Sequence, residues 1–407
     1  MDSINAEVLV IGGGPAGLSA AIAASERSNV AIIDDNPHLG GQIWRAEMGQ
    51  RSSDARRLID LLDLGRVSII NNAQVFGSQS DGRLLAETPA GRLELRFDRL
   101  ILATGARELF LPFPGWTSPN VLGAGGLQAM VKGGLKIAGK RIVIAGTGPL
   151  LLAVADHLNA KGAKIVLIAE QTSAAKIRRF ARGLWRQPVK MVQAAALRAR
   201  LVGVPYRTDS WVTAADDGKV DLMCKGLRRT IDCDYLACGF HLVPNLELAD
   251  MLGCEIAAGV VHIDNFQQTS RSNILCAGES TGIAGVESSI VEGTIAGLAA
   301  TGQMDAAQLH FPERDRARRF GELLNRTFAL RNELKTLADP DTIVCRCEDV
   351  EFGRLTEFTS FRDAKLQTRC GMGACQGRIC GAATEFLFGW ERPNVRAPIF
   401  PVKMGNL

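Results

Sequence analysis

The sequence predicts an α/β protein with two Rossmann-like units followed by a small cysteine-bearing C-terminal domain. Three observations carry that class: a glycine-rich turn between an apolar strand and an alanine-rich helix near the start, a second such turn after Arg141, and five cysteines gathered between Cys345 and Cys380. At 407 residues the chain exceeds a single hydrophobic core and calls for two or three domains. Its 46% hydrophobic and 22% charged residues are those of a folded protein rather than a disordered one. A net charge of +4 gives no reason to invoke nucleic acid or a membrane surface. No apolar run reaches the roughly 18 residues that span a bilayer. The chain enters a strand almost at once, leaving no room for a signal segment. The expectation is a cytoplasmic protein, peripheral at most at the inner face of a membrane.

The first strand, Glu7-Val8-Leu9-Val10-Ile11, is apolar enough to be buried in a parallel sheet. It runs into Gly12-Gly13-Gly14-Pro15-Ala16-Gly17 and a helical stretch, Leu18 to Ser25. Gly12 permits the tight turn, Gly14 lets backbone approach a pyrophosphate, and Gly17 lets the helix pack on the strand. The helix start then offers unpaired N–H groups and a positive dipole end. A second strand, Val30-Ala31-Ile32-Ile33, ends in Asp34, about twenty residues after Gly12, where an acid accepts ribose hydroxyls. Asp35 is the alternative acid.

With these features in register the chain resembles the two-dinucleotide-binding-domain flavoproteins. Further motifs of that family are the Gly-Gly pair in Leu39-Gly40-Gly41-Gln42 and the strand end Leu102-Ala103-Thr104-Gly105-Ala106. Another is Ile274-Leu275-Cys276-Ala277-Gly278-Glu279, with Gly282 and Gly285 after it. The resemblance implies FAD, held by Gly12, Gly14, Pro15, Ala16, Gly17, Asp34, Gly41, Gln42, Ala103, Thr104, Gly105, Gly278, Glu279 and Gly285. Glu279 stands where the family has an Asp that bonds the flavin ribityl chain, and a glutamate can accept the same bond.

The second unit reads Arg141-Ile142-Val143-Ile144-Ala145, then Gly146-Thr147-Gly148-Pro149-Leu150-Leu151, with a second strand from Lys164 ending at Glu170. Leu151 occupies the third glycine position, where helix-on-strand packing favours Gly or Ala. The expectation is a nucleotide-type fold that does not use NAD(P)H in turnover. No C-x-x-C pair occurs anywhere, which argues against thiol–disulfide chemistry. Of the 5 histidines, His241 is the nearest to a flavin-facing candidate, and a lone histidine reads first as structural. No catalytic acid–base residue is identified.

Cys224, Cys233, Cys238, Cys254 and Cys276 are scattered singly and expected to be buried small hydrophobes. The other five cysteines lie in Cys345-Arg346-Cys347-Glu348 and in Cys370-Gly371-Met372-Gly373-Ala374-Cys375-Gln376-Gly377-Arg378-Ile379-Cys380. Four thiolates with small residues between them suit a two-iron cluster, because free backbone N–H groups can bond the sulfurs. Zinc is the alternative, although four-cysteine zinc sites usually bring C-x-x-C knuckles.

Both segments together resemble the bacterioferritin-associated-ferredoxin-like [2Fe–2S] domain. The variant in question is fused to the FAD-containing alpha-type subunit of opine oxidases, hydrogen cyanide synthase and D-hydroxyproline or proline dehydrogenases. That resemblance runs from Gly12 to the tail at Arg392-Pro393 and Pro398. It implies Cys345, Cys347, Cys375 and Cys380 as ligands, with Cys370 a fifth cysteine beside the cluster. The implied fold is an α/β two-dinucleotide-binding-domain flavoprotein, with Rossmann-like FAD and NAD-type domains and a small, mainly helical [2Fe–2S] domain.

The expected layout is a discontinuous FAD domain (1–117 and 239–310), an inserted NAD(P)-type domain (118–238), a connector (311–337), and the [2Fe–2S] domain with its tail (338–407). The resemblance further implies an electron-transferring subunit of a heteromeric amine or amino-acid dehydrogenase. Its partner would be a D-amino-acid-oxidase-like flavoprotein subunit. A small additional iron–sulfur subunit, with FMN at a subunit interface, is compatible with that reading. Two alternatives stay open: a self-sufficient NAD(P)H-dependent acceptor reductase, and a non-catalytic scaffold stabilised by FAD and metal.

Overall fold

The computed structural model describes residues 2–45, 53–80, 82–184, 187–391 and 395–407. The Arg392-Pro393 part of the expected tail motif lies outside the described residues. By its contacts the chain divides into two compact units, Met1–Arg107 with Val243–Glu322 and Asn394–Leu407, and Glu108–Leu242 with Leu323–Pro393.

In the first unit a seven-stranded sheet is built on the strand Asp2–Ile11. Val10 pairs in parallel with Ile32 on one side and with Ile101 on the other. Val8–Ile11, Val30–Ile33 and Leu100–Leu102 are buried on both faces, which is why those stretches read as unbroken apolar runs. The strand Gly91–Leu102 also pairs in parallel with Ile274–Cys276, bringing the C-terminal half of the domain beside the glycine turn. Two helices, Pro15–Ser25 and Val286–Ala300, pack closely against each other. A methyl at Gly293 or Gly297 would run into the carbonyl oxygen of Ala16 or Ala20, so the contact requires glycine there.

The layout differs from the expected one at both ends of the C-terminal half. Helix Phe311–Thr327 is not a free connector. Arg314 donates to the Asn265 carbonyl at 2.6 Å and Arg318 to Glu292 at 2.8 Å, which ties its first part to the first unit. The tail also belongs to this unit rather than to the cysteine segment. The Ile399 N–H donates to the Phe76 carbonyl at 2.7 Å, Val395 to Asp250 at 3.1 Å, and Lys403 to Glu87 at 3.1 Å.

In the second unit a five-stranded parallel sheet centres on Arg141–Gly146 and Lys164–Glu170, flanked by helices Ala124–Lys132 and Leu150–Ala160. A three-stranded antiparallel sheet, Ser210–Asp216, Lys219–Cys224 and Leu227–Asp232, follows. The cysteine segment is a short hairpin, Ile343–Cys345 with Val350–Glu351, and helices Phe352–Leu355, Phe361–Thr368 and Cys380–Phe388. Its core joins Val344, Val350, Leu355, Phe361 and Trp390 to three buried cysteines. Among the described residues no helix is long and apolar enough to cross a membrane.

Candidate functional site

The first glycine turn is shaped by backbone contacts that leave no room for side chains. Gly12 has φ +106°, and a methyl there would strike the Ala103 carbonyl, while one on Gly17 would strike the Gly12 carbonyl. Gly14 caps helix Pro15–Ser25 without any side-chain bond, and no acid lies in the first turn. No side chain therefore caps the first-turn N–H groups, which are left for another acceptor. The Gly40-Gly41 turn comes close beside them, with Gly40 N–H donating to the Gly13 carbonyl at 2.8 Å. A side chain on Gly41 would begin 2.9 Å from the Gly14 Cα.

The two candidate ribose acids do different work. Asp34 is 5% exposed and both its oxygens are engaged: Oδ2 accepts the Gly13 N–H, and Oδ1 accepts the Asn36 amide groups at 2.7 and 2.9 Å. Asp35 lies at the rim of the strand tip and accepts from the Asn36 side-chain amide at 2.7 Å and from its own backbone N–H. Crowding at the strand tip, desolvation first and the neighbouring Asp34 charge second, raises the Asp35 carboxyl above its usual range.

Thr104, at the end of its strand, is locked by groups the sequence did not single out. Its hydroxyl contacts the Asn245 carbonyl and Ser280 Oγ, each at 2.9 Å, and the Asn245 side chain donates to the Thr104 carbonyl at 2.8 Å. Gly278 and Glu279 open a short 3-10 turn, Gly278–Thr281. The turn is anchored by Glu292, 3% exposed, which accepts from the Gly278 N–H at 3.0 Å and the Thr281 hydroxyl at 2.8 Å. Glu292 is a site residue missed in the sequence; a charged residue among the small and apolar ones of its helix was the available signal. The Glu279 carboxyl is pushed up by burial and accepts no hydrogen bond from any described residue. Gly285, φ +87°, starts helix Val286–Ala300 with open space beside it. An open helix start, glycines that a Cβ would block and an unpartnered enclosed carboxyl together fit FAD. Ala103 is buried at the strand end and Gln42 accepts from Arg45 at 2.8 Å.

At the second glycine turn the acid is closed off. Glu170 is 0% exposed and accepts from Gly148 N–H at 2.7 Å, Thr172 N–H at 2.8 Å and the Thr147 hydroxyl at 3.1 Å. Burial still raises its carboxyl above the usual range. Leu151 is fully buried and fits because Gly239 opposite lacks a side chain. His241 is half-buried with Nδ1 against the Leu242 carbonyl at 3.0 Å. The five scattered cysteines are all buried.

The sulfurs of Cys345, Cys370 and Cys380 lie within 4.8 Å of one another and are buried. Cys375 reaches Cys380 and Cys347 by side-chain hydrogen bonds, so all five thiols are contiguous. The structure thus places Cys370 in the buried trio, while Cys347 is exposed and Cys375 half-buried. The loop closes around the sulfurs through left-handed backbone at Arg369, Gly371, Gln376 and Gly377. The Gly371 N–H points at the Cys345 sulfur at 3.5 Å, and Gly373 has no space for a side chain beside Cys347. S–H donation from Cys370 and Cys380 holds the Cys345 thiol well below its usual range and keeps their own protons on. Sulfurs gathered this closely, with a backbone N–H aimed at one of them, fit a thiophilic metal or cluster.

A family model described as pyridine nucleotide-disulphide oxidoreductase matches residues 6–304. The A subunit of opine oxidase from Rhizobium meliloti is 29% identical over 98% of this chain and 87% of its own length. Hydrogen cyanide synthase subunit HcnB of Pseudomonas aeruginosa is 29% identical over 98% of this chain and 97% of its own. Among solved structures, L-proline dehydrogenase from P. horikoshii superposes with a TM-score of 0.71 at 19% identity, covering 100% of this chain and 80% of that one.

Proposed function

The chain belongs to the pyridine nucleotide-disulphide oxidoreductase family, and from that membership we propose that this FAD-dependent oxidoreductase is the electron-transferring subunit of a heteromeric amine or amino-acid dehydrogenase. The substrate type is an opine, hydroxyproline, proline or glycine, and a partner of the D-amino-acid-oxidase type oxidises it. The observation that carries this reading is the contiguous thiol group of Cys345, Cys347, Cys370, Cys375 and Cys380 on a chain that also bears the Gly12–Gly17 cradle. It is supported by relatives that are themselves named as subunits.

Bound FAD would exchange electron pairs, and a bound [2Fe–2S] cluster single electrons. The N–H groups of Gly14, Ala16 and Gly17 would receive a pyrophosphate, with Pro15 opening the helix without needing an acceptor of its own. Asp34, whose carboxylate sits against the Gly13 amide at the strand tip, would accept the ribose hydroxyls through its remaining lone pairs, with Asp35 beside it as the alternative. Glu279 accepts from the ribityl chain, while Gly41, Gln42, Ala103, Thr104, Gly105, Gly278 and Gly285 line the remaining approach. Cys345, Cys347, Cys375 and Cys380 would hold iron, with the Gly371 N–H donating to the Cys345 sulfur. Against the NAD(P)H-dependent alternative stands Glu170, whose oxygens are already engaged.

Protein purified anaerobically from iron-replete cells should carry FAD with about two irons and two sulfides per chain. Stoichiometric zinc would overturn the cluster. Rapid stoichiometric flavin bleaching by NADH would overturn the electron-relay role.

A further inference from the structure

The second glycine turn faces a piece of its own chain. After helix Phe311–Thr327 the segment Phe328–Arg331 crosses the C-terminal ends of the strands Arg141–Gly146 and Lys164–Glu170. The Phe328 carbonyl accepts from the Thr147 hydroxyl at 3.0 Å. Its ring and Cβ lie 3.8 and 3.9 Å from where a side chain on Gly148 would begin. The same ring meets Phe180 edge-on at 5.4 Å and is 8% exposed.

Next along the chain, the Ala329 carbonyl accepts from Gln171 Nε2 at 3.1 Å. The Arg331 N–H donates to Gln171 Oε1 at 3.0 Å, and its guanidinium donates to the Gln171 carbonyl at 3.2 Å. That guanidinium also lies 3.6 Å from the Trp211 ring.

In a dinucleotide fold the second glycine admits the pyrophosphate, and the acid at the end of the second strand meets the ribose. Here the space outside Gly148 is held by Phe328, and Gln171, next to the acid, is bonded to Ala329 and Arg331. Thr147 and Gln171, 7% and 3% exposed, are sealed beneath the segment. We propose that this cleft is a peptide socket: its resident ligand is Phe328–Arg331, it admits no dinucleotide, and it anchors the lead-in to the cysteine segment. The proposal is independent of the electron-relay reading, because a socket would serve an enzyme or a scaffold alike.

The test is amide hydrogen exchange on the full-length holoprotein, with NADH and NADPH as probes. In the wild type the Arg331 amide should be protected, and neither nucleotide at millimolar concentration should alter exchange at Gly146–Gly148 or show saturable nicotinamide fluorescence. Gln171→Ala removes the acceptor of that amide and should speed its exchange about tenfold, as expected for the loss of one buried hydrogen bond. Exchange in the first glycine turn should stay unchanged. Saturable binding of either nucleotide by the wild type, with protection of Gly146–Gly148, would overturn the proposal, as would a fast-exchanging Arg331 amide in the wild type. The wild-type measurements decide the matter even where the variant does not fold.

Discussion

Arg318 reaches from helix Phe311–Thr327 to the buried carboxylate of Glu292, at 2.8 Å, and Glu292 in turn holds the Gly278 amide and the Thr281 hydroxyl. A segment outside the expected nucleotide domain thus supports the turn that carries Glu279. Arg318→Ala leaves a buried charge without its partner. Because Arg318 is partly exposed, we expect a loss of about 2 kcal/mol rather than the full penalty of a buried pair. Chemical denaturation should register that loss and flavin content should fall with it, whereas Arg319→Ala on the same helix should leave both unchanged.

Glu279 gives a pH signature. Burial raises its carboxyl above the ordinary 4.5, so the folded chain favours the protonated form. Its contribution to stability is therefore full below the unfolded value and declines as pH climbs through the folded one. Glu279→Gln removes this titration. In flavin-free protein, urea unfolding should show the variant gaining on the wild type as pH rises above the ordinary 4.5; a constant gap would reject the assignment. In the holoprotein the same variant should bind flavin less tightly.

Two glycines separate packing from backbone strain. Gly17→Ala drives a methyl into the Gly12 carbonyl and should reduce flavin affinity by about tenfold or more, through displaced backbone rather than lost contacts. Gly285 has φ +87° and ψ −179°, a region essentially reserved for glycine, but open space beside it, so Gly285→Ala should cost about 2 kcal/mol of backbone conformational energy without a clash. Isothermal titration with FAD compares them directly.

Among the cysteines, serine at 345, 347, 375 or 380 should abolish bound iron, while Cys370→Ser should keep it and shift only the visible spectrum. Iron analysis of the five single variants is sufficient. Loss of iron in Cys370→Ser with retention in Cys347→Ser would transfer the ligand role to the buried trio.

Locally encoded features are legible in the amino-acid order itself. The strand–turn–helix at Val8–Ser25 follows from side-chain size and spacing alone, and so does the gathering of cysteines after Cys345. The strand begins earlier than its apolar run, at Asp2, because Ile4 and Ala6 pair with Leu95 and Phe97 of a strand far along the chain. Long-range partners were not legible: Asn245 with Thr104, Arg318 with Glu292, and Phe328 with Thr147 are each brought together only by folding. Position in the strand named Asp34 over Asp35; that Asp34 also braces the turn by accepting the Gly13 N–H is visible only in the folded geometry.

The return of residues 395–407 to the first sheet bears on synthesis. Ile399, 1% exposed, fills the core beside Phe76 and gives it a main-chain bond. Those residues leave the ribosome after the whole cysteine segment. The first unit therefore takes part of its core packing, at Ile399, from chain translated only after the sulfur-bearing segment.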